Sequence, residues 1–225
     1  MNPSDLMRLA RGPLFYFALL FFIAGMLYRL TRVVGFGWKK DLTKPKKSKI
    51  AGSLLAFVKS VIIWPFIPRV EGSLKRNLVA YFAGGLFHLA LFLVVFLGAA
   101  HMLVWKSLLG FGWPTLPLPV VDWLAAAGIV ALLVLFINRL VNPVLRTISH
   151  AAEYLNLLFV FLPMLTGFFL THHLLLPYEA MFALHVLSVD WLLIWIPLSR
   201  ISHFVFYFFS KAIYGAEFAR RGAQP

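Results

Sequence analysis

The feature that most constrains this chain is a series of apolar stretches that are long enough to cross a lipid bilayer. The chain has 225 residues, of which 61% are hydrophobic, whereas a soluble domain is about 45–50% apolar. A membrane-spanning helix needs about 20 mostly apolar residues. The apolar runs here are continuous rather than alternating, which excludes a transmembrane β-barrel. The sequence therefore predicts an all-α integral membrane protein in one domain over residues 1–225. The five predicted transmembrane helices cover residues 13–34, 78–105, 122–141, 153–175 and 180–209.

Basic residues lie mainly between these spans and give the chain a formal net charge of +13. Lys and Arg concentrate on the cytoplasmic side of membrane proteins, so this distribution favours a membrane topology over nucleic-acid binding. Segment 29–49 and the tail from Lys211 onward are predicted to be cytoplasmic, with the N-terminus outside. We expect a multi-pass protein of the inner (cytoplasmic) membrane of a prokaryote, in contact with membrane lipid and with no nucleic acid.

Residues 51–70 are apolar, but Lys59, Pro65 and Pro68 interrupt them. This stretch is too short and too broken for a span, since Pro disrupts a helix interior. It predicts a cytoplasmic interfacial helix that lies on the inner leaflet or under a partner subunit. A re-entrant segment is the alternative.

Four histidines fall within two of the spans, and the chain contains no cysteine. Iron bound by this chain would therefore need histidine, methionine or a similar ligand. His185 and His203 are eighteen residues apart, which is five full turns of an ideal helix, so both would face one way about 27 Å apart. The other span carries His88 and His101. Pairing by depth puts His88 with His203 at an inner haem b and His101 with His185 at an outer haem b, both suited to electron transfer because two histidines saturate the iron.

This pattern leaves alternatives open for the outer site. His88 and His101 are thirteen residues apart and about 140° from a common face of an ideal helix. Helix tilt or a distortion near Gly98 would have to reduce that angle. His172 or His173 could instead replace His101 as a ligand. Each histidine could also simply hydrogen-bond a neighbouring helix.

Charged residues near the histidines are further candidates. Arg200 precedes His203 by one turn and would pair with a haem propionate or anchor the helix at the inner leaflet. Asp190 is a carboxylate inside a span, where charge is costly, so it is a candidate for quinol or proton handling or an acceptor for a neighbouring donor. Candidates for the same chemistry on the outer side are Lys106, His172, His173 and Glu179.

The final span resembles the gamma (cytochrome b) subunit of respiratory nitrate reductase and its relatives, including those paired with heterodisulfide-reductase-like Fe–S proteins. The resemblance rests on the spacing of His185 to His203, the run PLSRISH that ends at His203, and the basic tail. Span two is similar around Asn77, Phe87-His88 and Gly98.

That resemblance implies two haems b, each held between spans two and five, and a quinol site beside the outer haem. It also implies electron transfer to a cytoplasmic Fe–S partner subunit. His88, His185 and His203 match the family's ligand positions. His101 departs from them, because the family's second ligand in span two falls about where Gly98-Ala99 stands here.

The sequence thus predicts a dihaem electron-transfer subunit of a quinol-linked oxidoreductase complex, rather than a complete enzyme. A membrane anchor with one haem or none is the first alternative. A small transporter is the second, although sparse charge within the spans and the absence of a sequence repeat argue against it.

Overall fold

The computed structural model describes residues 2–35, 44–60 and 77–223. The regular elements in these ranges are all helical, and five helical stretches are long and apolar enough to cross a membrane. The predicted all-α, five-span architecture is confirmed. Residues 36–43 of the basic segment and residues 61–70 of the expected interfacial helix lie outside the described residues.

The first span is a continuous helical stretch of 33 residues, from Pro3 to Gly35. It consists of α1 (Pro3–Leu9), a π-helical turn at Ala10–Leu14 and α2 (Phe15–Gly35). Pro13 lies in the π-helical turn, and proline has no backbone N–H to donate. The wider turn therefore accommodates the proline without ending the helix, and the span begins ten residues earlier than predicted.

The other α-helices of the described residues follow in chain order. Side chains start several of them: Ser48 accepts a hydrogen bond from the backbone of Ala51, and Asn77 accepts one from the backbone of Ala80. In chain order they are α3 (Lys49–Val58), α4 (Leu78–Leu97), α5 (Ala99–Leu109), α6 (Leu118–Val141), α7 (Pro143–Ile148), α8 (Ala151–Thr171), α9 (Tyr178–Trp195) and α10 (His203–Arg220).

Two of the predicted spans are not single helices, and the prediction was wrong there. Span 78–105 separates into α4 and α5 at Gly98, whose backbone is extended (φ −71°, ψ 132°). Span 180–209 separates into α9 and α10 through two 3₁₀ turns over residues 196–202, with Ser199 extended between them. Pro197 contributes to the second break because it cannot donate to the helix.

The core lies where α4, α6 and α8 meet. It is formed by the buried side chains of Phe87, Ala131, Leu132, Val160 and Met164. α9 packs against both α2 and α8, while α3 packs along α10. α4 carries His88 and α9 carries His185, one histidine of each pair predicted above.

Candidate functional site

The structure brings the four intramembrane histidines together as two facing pairs. The ring centroids of His88 and His203 are 6.0 Å apart, and those of His101 and His185 are 6.2 Å apart. Following the predicted topology, we call these the inner pair and the outer pair. The ring of His101 bonds the carbonyl of Val94, six residues beyond His88, so the outer pair lies near the end of the helix Leu78–Leu97 and the inner pair near its middle.

Each of the four rings is oriented through its Nδ1 atom. Because a carbonyl oxygen can only accept, Nδ1 carries the proton wherever its partner is a carbonyl. Three of the partners are backbone carbonyls close in sequence, and the fourth is a hydroxyl on the neighbouring helix α8. The four contacts are His88 Nδ1 to Gly84 O at 2.6 Å, His101 Nδ1 to Val94 O at 3.0 Å, His203 Nδ1 to Arg200 O at 2.9 Å and His185 Nδ1 to Thr166 Oγ1 at 3.1 Å.

These contacts leave Nε2 of every ring available. In the described part of the chain, no hydrogen bond reaches Nε2 of any of the four histidines. In metal-binding histidines, the ring nitrogen that does not bind the metal almost always donates its N–H to a carbonyl or a similar acceptor. The carbonyl partners fix the tautomer and the orientation of His88, His101 and His203, while Thr166 orients the ring of His185.

The spacing of the rings also fits a metal between them. Two imidazoles that bind one iron from opposite sides have metal–nitrogen bonds of about 2 Å each, which puts their ring centroids roughly 6.3 Å apart. The observed separations of 6.0 and 6.2 Å agree with that value. Among the described residues, no group of three or more His, Cys, Asp or Glu side chains could hold a metal ion.

The break at Gly98 explains how His101 reaches the outer pair. A Cβ at Gly98 would lie 2.5 Å from the carbonyl oxygen of Val94 and 3.2 Å from Nδ1 of His101. Glycine therefore lets the first turn of α5 fold back on the end of α4, and the ring of His101 then bonds the carbonyl of Val94, seven residues earlier. The distortion near Gly98 that the sequence required is present.

A helix end within a membrane must have its carbonyls satisfied, because lipid offers no donors. The last four carbonyls of α4 all have donors. The Val94 carbonyl accepts from Gly98 N and from His101 Nδ1. The Val95 carbonyl accepts from Trp105 Nε1 (2.9 Å), and the Phe96 carbonyl accepts from Trp113 Nε1 (2.7 Å). The Leu97 carbonyl accepts from the backbone N–H of Leu116 (2.8 Å). The segment after α5 thus returns to close the break and fix His101.

The second break, which leads to His203, is closed by a cation from α2. Arg29 Nη1 donates to the carbonyls of Pro197 (3.1 Å) and Ser199 (2.8 Å). Gly25 makes this approach feasible, because a Cβ there would lie 2.6 Å from Cβ of Pro197. Arg29 also lies 5.5 Å from the ring centroid of Phe206. It therefore joins α2, the break and the first turns of α10.

Open space borders the inner pair. A Cβ added at Gly84 or Gly85 would meet no atom within 4 Å, so the α4 surface one turn before His88 is unobstructed. A cleft of about 340 Å³ is lined by Arg29, Val33, Arg200, Ser202, His203 and Phe206. A flat cofactor with acidic substituents requires such room and such cations.

Arg200 lies beside the inner pair, because its carbonyl accepts from His203 Nδ1 and it lines the inner cleft. Its side chain is 82% exposed and forms an ion pair with Glu153 at 3.0 Å. The other predicted site residues lie outside the two pairs. His173 contacts the ring of Tyr178, Lys106 lies in the last turn of α5, and Glu179 lies in the first turn of α9.

Asp190 is buried, with 5% of its surface exposed. Within the described residues neither of its carboxylate oxygens has a hydrogen-bond partner. The expected bond to a neighbouring histidine or hydroxyl is therefore absent there. Its helix α9 packs against α1, the π-helical turn and α2 on one side and α8 on the other.

His172 contributes to a second cleft, at the outer ends of α6 and α8, rather than to the outer pair. Its Nδ1 donates to the carbonyl of Phe168, and its Nε2 is 3.9 Å from Oδ2 of Asp122. The cleft has a volume of about 290 Å³, and its lining comprises Pro119, Asp122, Trp123, Ala126, Phe168 and His172. It adjoins the outer pair, since Gly167, next to Phe168, lies against the ring of His185. The sequence analysis did not identify Asp122. Its only signal in the sequence is that it is an acidic residue near the outer end of a span.

Comparisons with known proteins leave the family open. A relative from Nitratidesulfovibrio vulgaris strain Hildenborough, whose name reads only "Protein", is 28% identical over 213 residues, which cover 94% of this chain and 93% of that protein. No family model matches the chain, and no solved structure matches it.

Proposed function

We propose that this chain is a dihaem b-type cytochrome subunit of a membrane oxidoreductase complex, which transfers electrons between the quinone pool and a cytoplasmic Fe–S partner subunit. The observation that carries the proposal is the presence of two facing imidazole pairs at ligand spacing, with Nδ1 bound and Nε2 available on every ring. The likeness of the final span to the nitrate reductase gamma subunit supports the same function.

In this proposal His88 and His203 hold the inner haem iron, and His101 and His185 hold the outer one. A bound haem with two histidine ligands supplies a one-electron redox centre. The protein supplies orientation: the Nδ1 contacts hold each ring, and the closed break at Gly98 fixes the direction of His101. Arg29 and Arg200 line the inner cleft and would provide charge for acidic substituents of the cofactor.

The competing explanation, that the histidines hold helices together, has weak support from the contacts. Of the four Nδ1 bonds, those of His88, His101 and His203 go to carbonyls of their own or the adjoining segment. Such bonds do not connect neighbouring spans. His185 is the exception, because its ring contacts Thr166 Oγ1 and the carbonyl of Pro163, both on the separate span α8.

The outer cleft provides the quinol site. His172 Nε2 would accept a proton from a quinol hydroxyl, and Asp122, 3.9 Å away, would stabilise the resulting imidazolium. The rings of Phe168 and Trp123 offer flat apolar walls. Asp190, Lys106 and His173 remain candidates for proton handling outside this cleft. The proposal keeps the orientation inferred from the basic segments, with the chain in the inner membrane of a prokaryote, the quinol on the outer side and the Fe–S partner on the cytoplasmic side.

Haem content tests the proposal directly. The chain, expressed with excess haem and purified in detergent, should contain two haems b by the pyridine haemochromogen assay. His88→Ala or His203→Ala should remove the inner haem and about half of the reduced-minus-oxidised absorbance, because one remaining imidazole binds far more weakly than two. His101→Ala or His185→Ala should remove the other half.

The matched controls are His150→Ala and His173→Ala, which remove histidines outside the pairs and should leave both haems bound. A wild-type chain that folds, as judged by size exclusion and circular dichroism, but binds no haem contradicts the proposal. One haem per chain would instead support the anchor with a single haem.

A further inference from the structure

Helices α3 and α10 are far apart in the chain but pack antiparallel through small residues. We call this two-helix unit the α3–α10 hairpin. A Cβ at Gly52 would overlap the backbone of Gly215, and a Cβ at Gly215 would overlap that of Gly52. Ala56 and Ala219, each one turn further along its helix, are buried in the same contact. Close backbone approach through small residues at four-residue spacing is the packing that membrane helices use.

Hydrogen bonds fix the hairpin along its length. Ser53 Oγ donates to the carbonyl of Ala212 (2.7 Å), and the backbone N–H of Lys46 donates to the carbonyl of Arg220 (3.0 Å). At the end near the bundle, Tyr207 Oη donates to the carbonyl of Ser60 (3.3 Å). The hairpin is therefore a defined two-helix unit rather than two helices that happen to be close.

The flanks of the hairpin that face away from this contact are apolar. Ile50 and Leu54, four residues apart, are 75% and 61% exposed. On α10, Phe209 and Ile213 form a similar exposed pair. Further exposed apolar side chains on the two helices are Leu55, Phe57, Val58, Tyr207, Phe208 and Tyr214.

The free end of the hairpin is strongly basic. The Lys46–Arg220 bond and the packing of the Lys46 side chain near Gly222 bring the start of α3 beside the end of α10. Across residues 44–60 and 203–223 the sequence has a single acidic residue, Glu217. It pairs with Arg220 and Arg221. The basic residues gathered at this end are Lys44, Lys46, Lys47, Lys49, Arg220 and Arg221.

A tyrosine–lysine cluster lies on α10 at the level of the apolar flanks. Nζ of Lys211 is 5.3 Å from the ring centroid of Tyr207 and 5.9 Å from that of Tyr214. Tyrosine is enriched at the headgroup level of bilayers. The hairpin thus carries apolar and aromatic side chains along its length and basic residues at its free end.

We infer that the α3–α10 hairpin is a binding surface for anionic phospholipid, with its apolar flanks in the acyl region and its basic end at the phosphates. This combination of an apolar face and a lysine-rich polar end is what places helices at a membrane interface. Anionic headgroups attract each nearby Lys or Arg appreciably. A soluble acidic protein would match the basic end, but it would leave the apolar flanks of both helices in water. The inference depends on the hairpin alone and not on haem binding.

The absence of cysteine from the chain makes a direct test feasible. Leu54→Cys and Ile213→Cys, each labelled with bimane in the full-length protein, would be placed in nanodiscs of phosphatidylcholine alone or mixed with phosphatidylglycerol. In the anionic discs, nitroxide-labelled lipid should quench both probes strongly and iodide weakly. Val130→Cys, on an exposed face of α6, provides the lipid-contact reference.

Charge removal then tests the headgroup interaction. The double variant Lys44→Gln, Lys47→Gln should lower the ratio of lipid-bound to water-exposed hairpin, measured by the two quenchers in anionic discs, by about tenfold. Each basic residue near the surface raises the binding constant severalfold. Arg8→Gln, Arg11→Gln removes the same charge from the other end of the bundle and should change nothing.

Two outcomes would overturn the inference. Probes at positions 54 and 213 that iodide quenches and lipid nitroxides do not would identify a water-facing surface, suited to a soluble partner. Lipid quenching that is equal with and without phosphatidylglycerol would reduce the hairpin to an apolar anchor that does not recognise anionic headgroups. Haem content, measured on the same samples, reports on the proposed function separately.

Discussion

The inner and outer histidine pairs each combine one histidine from the middle of a helix with one from the start of a helix that follows a break. In each pair one histidine lies in the middle of an unbroken helix: His88 in α4 and His185 in α9. The other lies in the first turn of the helix that follows a break: His203 in α10 and His101 in α5. α4 contributes His88 to the inner pair and breaks before His101 of the outer pair. α9 contributes His185 to the outer pair and breaks before His203 of the inner pair. The two breaks therefore allow the two segments to form a histidine pair at each of two depths.

The pairs differ in how the break beside them is closed. Neutral donors close the outer break, namely the indole N–H of Trp105 in α5 and, from the segment after α5, the indole N–H of Trp113 and the backbone N–H of Leu116. A guanidinium from α2 closes the inner one. The rings differ likewise: His101 and His185 are partly buried, while His88 and His203 are exposed. A break deep in a protein interior can be satisfied by neutral groups, whereas one near a basic segment can recruit a charged side chain.

The largest effect should come from filling the outer break. Gly98→Ala puts a Cβ against the carbonyl of Val94, a backbone atom that cannot move away cheaply, and overpacking of this kind costs about 1–3 kcal/mol. The first turn of α5 should shift and carry His101 with it. We expect loss of the outer haem with the inner haem retained, measured by haem content and by redox titration.

Gly35→Ala is the matched control, because a Cβ there meets nothing within 4 Å. Its haem content should equal that of the wild type. Equal loss of both haems from Gly98→Ala would show that the two sites are not independent, and full retention would show that the break does not position His101.

An intermediate effect is expected at the inner break. Arg29→Leu removes the donor to the carbonyls of Pro197 and Ser199. Hydrogen bonds to a charged group contribute about 1.5–3 kcal/mol, so the midpoint of thermal unfolding in detergent should fall, and the inner haem should be lost first. Arg32→Leu, which removes an exposed arginine that donates to Tyr28 Oη, should have little effect. An Arg29→Leu chain with an unchanged inner haem would refute the role assigned to Arg29.

The smallest effect should come from one neutral donor at the outer break. Trp113→Phe leaves the Phe96 carbonyl without its indole partner, and the loss of one hydrogen bond at an exposed acceptor should cost about 0.5–1.5 kcal/mol. Thermal unfolding and the midpoint potential of the outer haem should shift while both haems stay bound. Trp191→Phe changes an exposed indole and serves as control; an equal shift there would mean that the effect is one of ring size and not of the hydrogen bond.

Much of this arrangement could be predicted from the sequence. Hydropathy defined the five spans, because a bilayer requires about 20 apolar residues whatever the tertiary contacts. The spacing of His88, His101, His185 and His203 also predicted which rings would lie at similar depth, and the structure brings them together in those combinations. Their role as haem ligands stays a prediction. The five-turn argument for His185 and His203 assumed a continuous helix and was wrong in that detail.

The sequence indicated a distortion near Gly98, but only the tertiary structure showed the break at residues 196–202 and the groups that close both breaks. The donors at the inner break come from Arg29, 168 and 170 residues away from their acceptors, and no local propensity can report such a contact. The Asp122–His172 cleft and the Gly52–Gly215 contact likewise join residues distant in sequence. The sequence determines which segments must leave water, since that depends on each segment's own composition. The geometry of the site depends on which distant donor reaches which unpaired carbonyl, and only the packed helices determine that.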